Sequence, residues 1–254
     1  MKRIHLFLFV AALFSAAACT HEIKTATAAD QGKIELEGYE GYGCGWSYSM
    51  EYVAGGLSQE VMDKINRTII EVGIGYDTAG MPPVVPTYCH HWVEGIDSEY
   101  SAFADEVLPE LDEGDEPWMM NWTYSMEGSF STGCAARHLR TYDVMDDSYT
   151  GGAHGSTYNT SLVFDLTTGQ RISEADLFRE GFEADIAEAL NDKVLEGLDE
   201  ELWEAVYEVP TPNGNFSVDE QGVTWHYNPY EIGPYVLGFL TASFTWDELA
   251  PYLK

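Results

Sequence analysis

The sequence predicts an α+β protein: antiparallel β-sheets with packed helices, in two associated subdomains. Three observations lead there. Apolar and polar residues alternate with period two through Trp46 to Tyr52 and through Trp118 to Phe130, as in half-buried strands. Apolar residues at three- and four-residue spacing mark helices from Leu57 to Val72 and from Phe182 to Leu198. The two kinds of signal fall in clusters, without the regular βαβ alternation of a parallel sheet. A chain of 254 residues, 45% hydrophobic and 13% aromatic, has ample material for a core.

Taken in order, Lys2 and Arg3 precede an apolar run from Ile4 to Phe14, and small residues lead to Cys19, so residues 1–18 read as an export signal. The run is too short to span a membrane permanently. Cleavage after Ala18, or within Ala26-Thr27-Ala28, would make it an ordinary secretory peptide. A cysteine directly after the small residues instead resembles a bacterial lipobox, which makes Cys19 a candidate lipidation site. Either way the expectation is export to a bacterial cell envelope, periplasmic or lipid-anchored, with membrane contact through the anchor alone. Residues 19–32 read as a flexible tether.

Residues 33–117 form the expected N-terminal α+β subdomain. After the strand around Trp46, Ser58 offers an N-cap for the helix ending near Val72. Gly73 to Val93 holds Pro82, Pro83 and Pro86 and lacks a stable period, which predicts a long loop. A second helix is expected over Tyr100 to Leu108, and the acidic run Glu110 to Glu116 as a solvated connection.

Residues 118–254 form the expected C-terminal domain. Its first strand turns at Ser131-Thr132-Gly133 into a partner over Ala136 to Val144, a β-hairpin. A strand at Tyr158 to Leu166 ends in Thr167-Thr168-Gly169. Ser173 with Asp176 starts helical structure, and Phe182, Ile186, Leu190 and Val194 supply the ridge of the long helix. Short strands follow at Phe216 to Val218, Val223 to Tyr227 and Gly238 to Phe244, and Thr245 with Glu248 makes a capping box.

Charge narrows the function. Twelve Lys and Arg against 43 Asp and Glu give a formal net charge of −31, which repels phosphate backbones and anionic head groups and excludes nucleic acid as a partner. A cationic protein, multivalent cations or a saline habitat each fit such a field. Cys44, Cys89 and Cys134 are the disulfide candidates; an oxidising compartment favours one bridge and one free thiol, with three pairings open. Cys89-His90-His91 lacks the spacing of a metal site, so no metal and no cofactor is expected. No catalytic residue is assigned, because no nucleophile, phosphate-loop or metallohydrolase motif is present.

Two loops stand out as ligand-binding candidates. Gly151-Gly152-Ala153-His154-Gly155 presents an imidazole on a backbone free of bulk, with Gly152 and His154 the residues of interest. Glu231 lies between Tyr230 and Tyr235 in a loop stiffened by Pro229 and Pro234, where aromatic faces suit a sugar or peptide groove. The plainer readings are a tight strand connection for the first and a buried carboxylate capping backbone amides for the second. Arg137, His138 and Arg140 form the densest basic cluster, close to Asp143, Asp146 and Asp147, and ordinary surface pairing accounts for it.

The run Tyr149 to Gly155, then Phe164 to Gly169, Asp176-Leu177-Phe178, Tyr227 to Tyr235 and Phe244 to Leu249 follow one family's order. Over roughly residues 118 to 252 the sequence resembles the extracellular region of the anti-sigma-V factor, a domain also found ahead of the catalytic domain of a bacterial peptidoglycan deacetylase. The resemblance implies an exported, mainly non-catalytic binding or sensing module. Its implied partner is a lysozyme-like cationic protein or peptidoglycan. A hydrolase of envelope polysaccharide with an unrecognised carboxylate pair, and an acidic salt-adapted lipoprotein with another ligand, are the competing expectations.

Overall fold

The computed structural model describes residues 2–6, 22–112 and 117–254. Cys19, the expected cleavage site at Ala18 and part of the acidic connection lie outside the described residues. The protein is α+β, with two sheets rich in antiparallel pairs and helices packed on them.

The larger sheet has seven strands in sequence order: β1 (Lys2–Leu6), β2 (Lys24–Glu35), β3 (Gly43–Gly55), β4 (Trp122–Phe130), β5 (Leu139–Tyr149), β6 (Ser156–Asp165) and β7 (Arg171–Ile172). The smaller has β8 (Phe216–Val218), β9 (Gly222–Tyr227) and β10 (Leu240–Thr245) in antiparallel order β10-β9-β8. The expected tether is corrected here: residues 24–32 belong to β2, paired with β3 from Lys24↔Gly55 to Glu35↔Gly43. Small Ala and Thr residues read as flexible by composition, yet a long neighbouring strand gives their backbone a ladder to join.

A second correction concerns the boundary near residue 117. It does not divide the sheets, because β3 pairs with β4 in parallel from Cys44↔Trp122 to Met50↔Gly128. A crossover of two helices makes this pairing possible: α1 (Gln59–Thr68) and α2 (Val85–Val107) lie between the two strands in sequence and cover one face of the sheet. Ser58 caps α1, its Oγ accepting from Val61 N at 3.4 Å. A π-turn at Ile69–Ile74 buries Ile69, Ile70 and Ile74 before Gly75 ends it at φ 84°.

Helix α2 starts fifteen residues before the expected Tyr100, so most of Gly73 to Val93 is not loop where it was expected to be. Pro86 is the reason. It stands in the first helical turn, where its missing N–H would have no partner anyway, so it opens the helix. Tyr88, Cys89, Ile96, Tyr100 and Ala104 then face the sheet.

The other face of the large sheet carries the smaller sheet with α4 (Phe182–Glu196), preceded by the short α3 (Glu174–Leu177) and followed at the C-terminal end by α5 (Trp246–Leu249). Trp225 is fully buried between Phe178, Phe216 and Phe244, and its indole Nε1 donates to Glu174 Oε1 at 2.7 Å. Capping boxes at Ser173/Asp176 and Thr245/Glu248 form as the sequence implies.

The disulfide expectation is also corrected. Cys44, Cys89 and Cys134 are free and buried, each in a different apolar cluster. Burial pushes the thiols of Cys44 and Cys89 up to about 12.

Candidate functional site

The two loops singled out in the sequence meet. The first joins β5 to β6 and the second joins β9 to β10. The imidazole of His154 stacks on the ring of Tyr235 at 4.1 Å between centroids and 15° between planes. Its Nε2 lies 3.1 Å from the hydroxyl of Tyr230, and the two tyrosine rings are 5.7 Å apart. His154, Tyr230 and Tyr235 therefore form one aromatic cluster from residues distant in sequence.

Local chemistry holds each part. Gly151 and Gly152 take φ of 93° and 102°, which only glycine adopts freely, and the Tyr149 hydroxyl donates to Gly152 O at 3.1 Å. Gly152 itself contributes backbone shape. Tyr230 has φ 70°, a sterically costly conformation for a bulky residue, and its side chain is 55% exposed. Strained backbone under an exposed aromatic side chain is the pattern of a site that presents a group outward.

Glu231 is placed differently. Its Oε2 accepts from Asn228 N at 2.8 Å and its Oε1 accepts from Asn213 Nδ2 at 2.5 Å, so it pins the loop that holds Tyr230. The carboxylate is exposed, not buried as the plainer reading expects, and takes one backbone and one side-chain amide. Arg137 lies over the Trp246 ring at 4.2 Å, a surface stacking contact within the expected basic cluster.

Further residues extend the cluster. The hydroxyl of Tyr207 shares its one proton between Tyr230 O at 2.8 Å and Gly233 O at 3.1 Å, so the segment around it runs alongside the tyrosine loop. Tyr207, Val209, Val236 and Phe239 are all exposed, Val236 at 82%. The available sequence signal was an aperiodic apolar stretch among acids and prolines, from Leu202 to Val209. From Val194 to Leu253 the chain has eleven Asp or Glu and no Lys or Arg. The exposed apolar residues thus belong to a stretch of sequence whose charges carry one sign.

A cleft of about 720 Å³ opens beside the His154 loop and reaches Gly155, Ser156 and Thr157. Its floor is the face of β2 to β6 opposite α1 and α2. Among the described residues no group of three or more His, Cys, Asp or Glu is placed to hold a metal ion, and no helix is long and apolar enough to cross a membrane.

An α+β protein with two sheets and an exposed aromatic cluster at their junction is the class that fold and site define. Residues 175–247 match the family described as "Protein of unknown function (DUF3298)", a span that includes Tyr230, Glu231 and Tyr235. A DUF3298 family member from Bacteroides fragilis NCTC 9343 has a similar solved structure, with a TM-score of 0.81 at 20% identity over 92% of this chain and 95% of that one. A DUF3298 family protein from Pseudomonas aeruginosa PAO1 is similar at a TM-score of 0.59 and 16% identity, over 92% of this chain and 95% of that one. At these identities the likeness shows the fold. No curated protein matches the sequence.

Proposed function

We infer that this chain is an exported envelope binding or sensing protein, anchored through Cys19, whose aromatic cluster docks a cationic protein of lysozyme-like character. One observation carries the reading: exposed Tyr207, Tyr230, Val236 and Phe239 occupy a region whose sequence has acids and no bases. Apolar anchors in an acidic stretch suit a partner with a complementary basic rim. In such an interface the aromatic anchors supply most of the affinity, and the charges mainly steer encounter. His154 stacked on Tyr235 widens the anchor surface.

The test is surface plasmon resonance with hen lysozyme as a model cationic protein, at low and at physiological salt. Association slows as salt rises, because charges farther apart than about 8–10 Å are screened. Tyr230→Gly separates binding from folding. Glycine relaxes a backbone conformation that costs tyrosine about 1 kcal/mol or more, so the variant melts at or above the parent's temperature while binding weakens. Equal binding by Tyr230→Gly and Tyr235→Ala would sink the proposal.

A further inference from the structure

We propose that the cleft on the part of the large sheet's second face left uncovered by the smaller sheet is a second, separate ligand site, and that its ligand is a neutral oligosaccharide. Two neighbouring cross-strand rows build its floor. In one, Lys33, Gly45, Thr123 and Tyr149 are paired in succession. In the other, Gln31, Ser47, Ser125, Asp147 and Thr157 are paired across five strands. Residues two apart on a strand share a face, so both rows point the same way. Five strands at about 4.8 Å spacing make a trough roughly 19 Å across.

The chemistry of this floor excludes most ligand classes. Its backbone donors and acceptors are already engaged in the sheet ladders, so a peptide adding as a strand finds no edge to pair with. Hydrogen bonds to a ligand must come from side chains. The hydroxyls of Ser47, Thr123 and Ser125 and the amide of Gln31 have no hydrogen-bond partner among the described residues. A purely apolar ligand would strip water from those groups and return nothing, which is costly.

Charge removes two more classes. In a chain of net charge −31, the cleft is lined by one cation, Lys33, and one anion, Asp147, whose Oδ1 already accepts from Thr157 Oγ1 at 2.5 Å. Neither an anionic nor a cationic ligand finds a set of opposite charges there. What remains is an uncharged ligand rich in hydroxyls or amides, with a face that rests on Tyr149. A short glycan has those properties. The volume lies inside the range of about 300–1,000 Å³ usual for ligand sites.

The site stands apart from the aromatic cluster, so it does not depend on the protein-partner reading. Tyr149 links the two places, its ring on the cleft wall and its hydroxyl on Gly152 O.

The experiment is an NMR titration of the full chain with three neutral trisaccharides, chitotriose, cellotriose and mannotriose, and with Gly-Ser-Gly as a peptide of similar bulk. The expected result is saturable shifts at Gly45, Ser47, Ser125 and Thr157 with at least one trisaccharide and none with the peptide. Ser47→Leu with Ser125→Leu, folded by its spectrum, should lower that affinity about tenfold or more by filling the floor and removing two hydroxyls. Tyr235→Ala should leave it unchanged. The proposal is overturned if no trisaccharide shifts those residues by about 10 mM, if the peptide binds as well as any sugar, or if the leucine pair binds as the parent does.

Discussion

Replacing Asn66 by alanine should destabilise the protein by about 2–6 kcal/mol, because one side chain completes a strand ladder that has run out of neighbours. The parallel pairing of β3 with β4 stops at Met50↔Gly128, three residues before Val53. On that side Val53 would have a bare N–H and C=O. Asn66, buried on α1, supplies both partners: its Oδ1 accepts from Val53 N at 2.9 Å and its Nδ2 donates to Val53 O at 2.9 Å. Alanine leaves a buried donor and a buried acceptor without partners, each costing about 1–3 kcal/mol. At roughly 2–4 °C per kcal/mol for a chain of this size, the melting temperature falls by about 4–24 °C. Urea unfolding followed by circular dichroism measures the loss directly. Asn66→Asp should be at least as costly, since a carboxylate accepts from the N–H but faces the carbonyl with charge. A loss below about 0.5 kcal/mol for the alanine variant would refute the reasoning, because it would mean that water or a shifted strand serves Val53 equally well.

Glu174→Ala should cost about 1–3 kcal/mol in the same assay, since it strands the indole donor of the fully buried Trp225 and the N–H of Gly214. Burial holds His226 below its ordinary range, with Asp143 opposing, so its contribution to stability is full above about pH 6.5 and is lost as pH falls toward its folded value. His226→Gln should flatten that part of the stability curve between pH 7 and 5, and an unchanged slope would remove His226 as its cause. Cys44 and Cys89, with thiols near 12 and no exposed surface, should resist Ellman's reagent until the chain unfolds; rapid labelling of the folded protein would contradict their burial.

The C-terminal half was far more legible in the sequence than the N-terminal half. Residues such as Thr245 with Glu248, or the alternation from Trp122 to Phe130, act within a few positions of themselves, so local pattern suffices. The parallel β3–β4 pairing depends on a crossover of more than sixty residues, whose closure no local pattern reports. Pro86 carries opposite meanings at the first turn of a helix and inside one, and the sequence alone did not say which applied. His154, Tyr230 and Tyr235 were visible as unusual residues, and their stacking required the fold. The cleft was invisible for a different reason. Gly45, Ser47, Thr123 and Ser125 are ordinary polar positions of strands, and only the pairing register sets them in rows.

Asparagine solves one problem three times in this fold, and the repetition explains why the candidate site is held in place. Strand β7 covers only Val163 and Phe164 of β6, which leaves the backbone of Asn159 and Ser161 without a neighbouring strand. Asn228 Oδ1 accepts from Asn159 N at 2.7 Å, and Asn215 Oδ1 accepts from Ser161 N at 2.8 Å. Their Nδ2 groups donate back to Asn159 O at 3.1 and 2.9 Å. These two side chains fasten the ends of β8 and β9 to the edge of the large sheet, as Asn66 fastens α1 to β3. Asn228 begins the loop that presents Tyr230 and Tyr235, while β6 begins just after His154. The aromatic cluster thus draws its halves from two sheets that amide clamps hold in register. Asn228→Ala should therefore separate His154 from Tyr235, visible as loss of ring-current shifts on the imidazole, before it weakens the core around Trp225. If both change together, the clamp belongs to the core and the loops have no independent support.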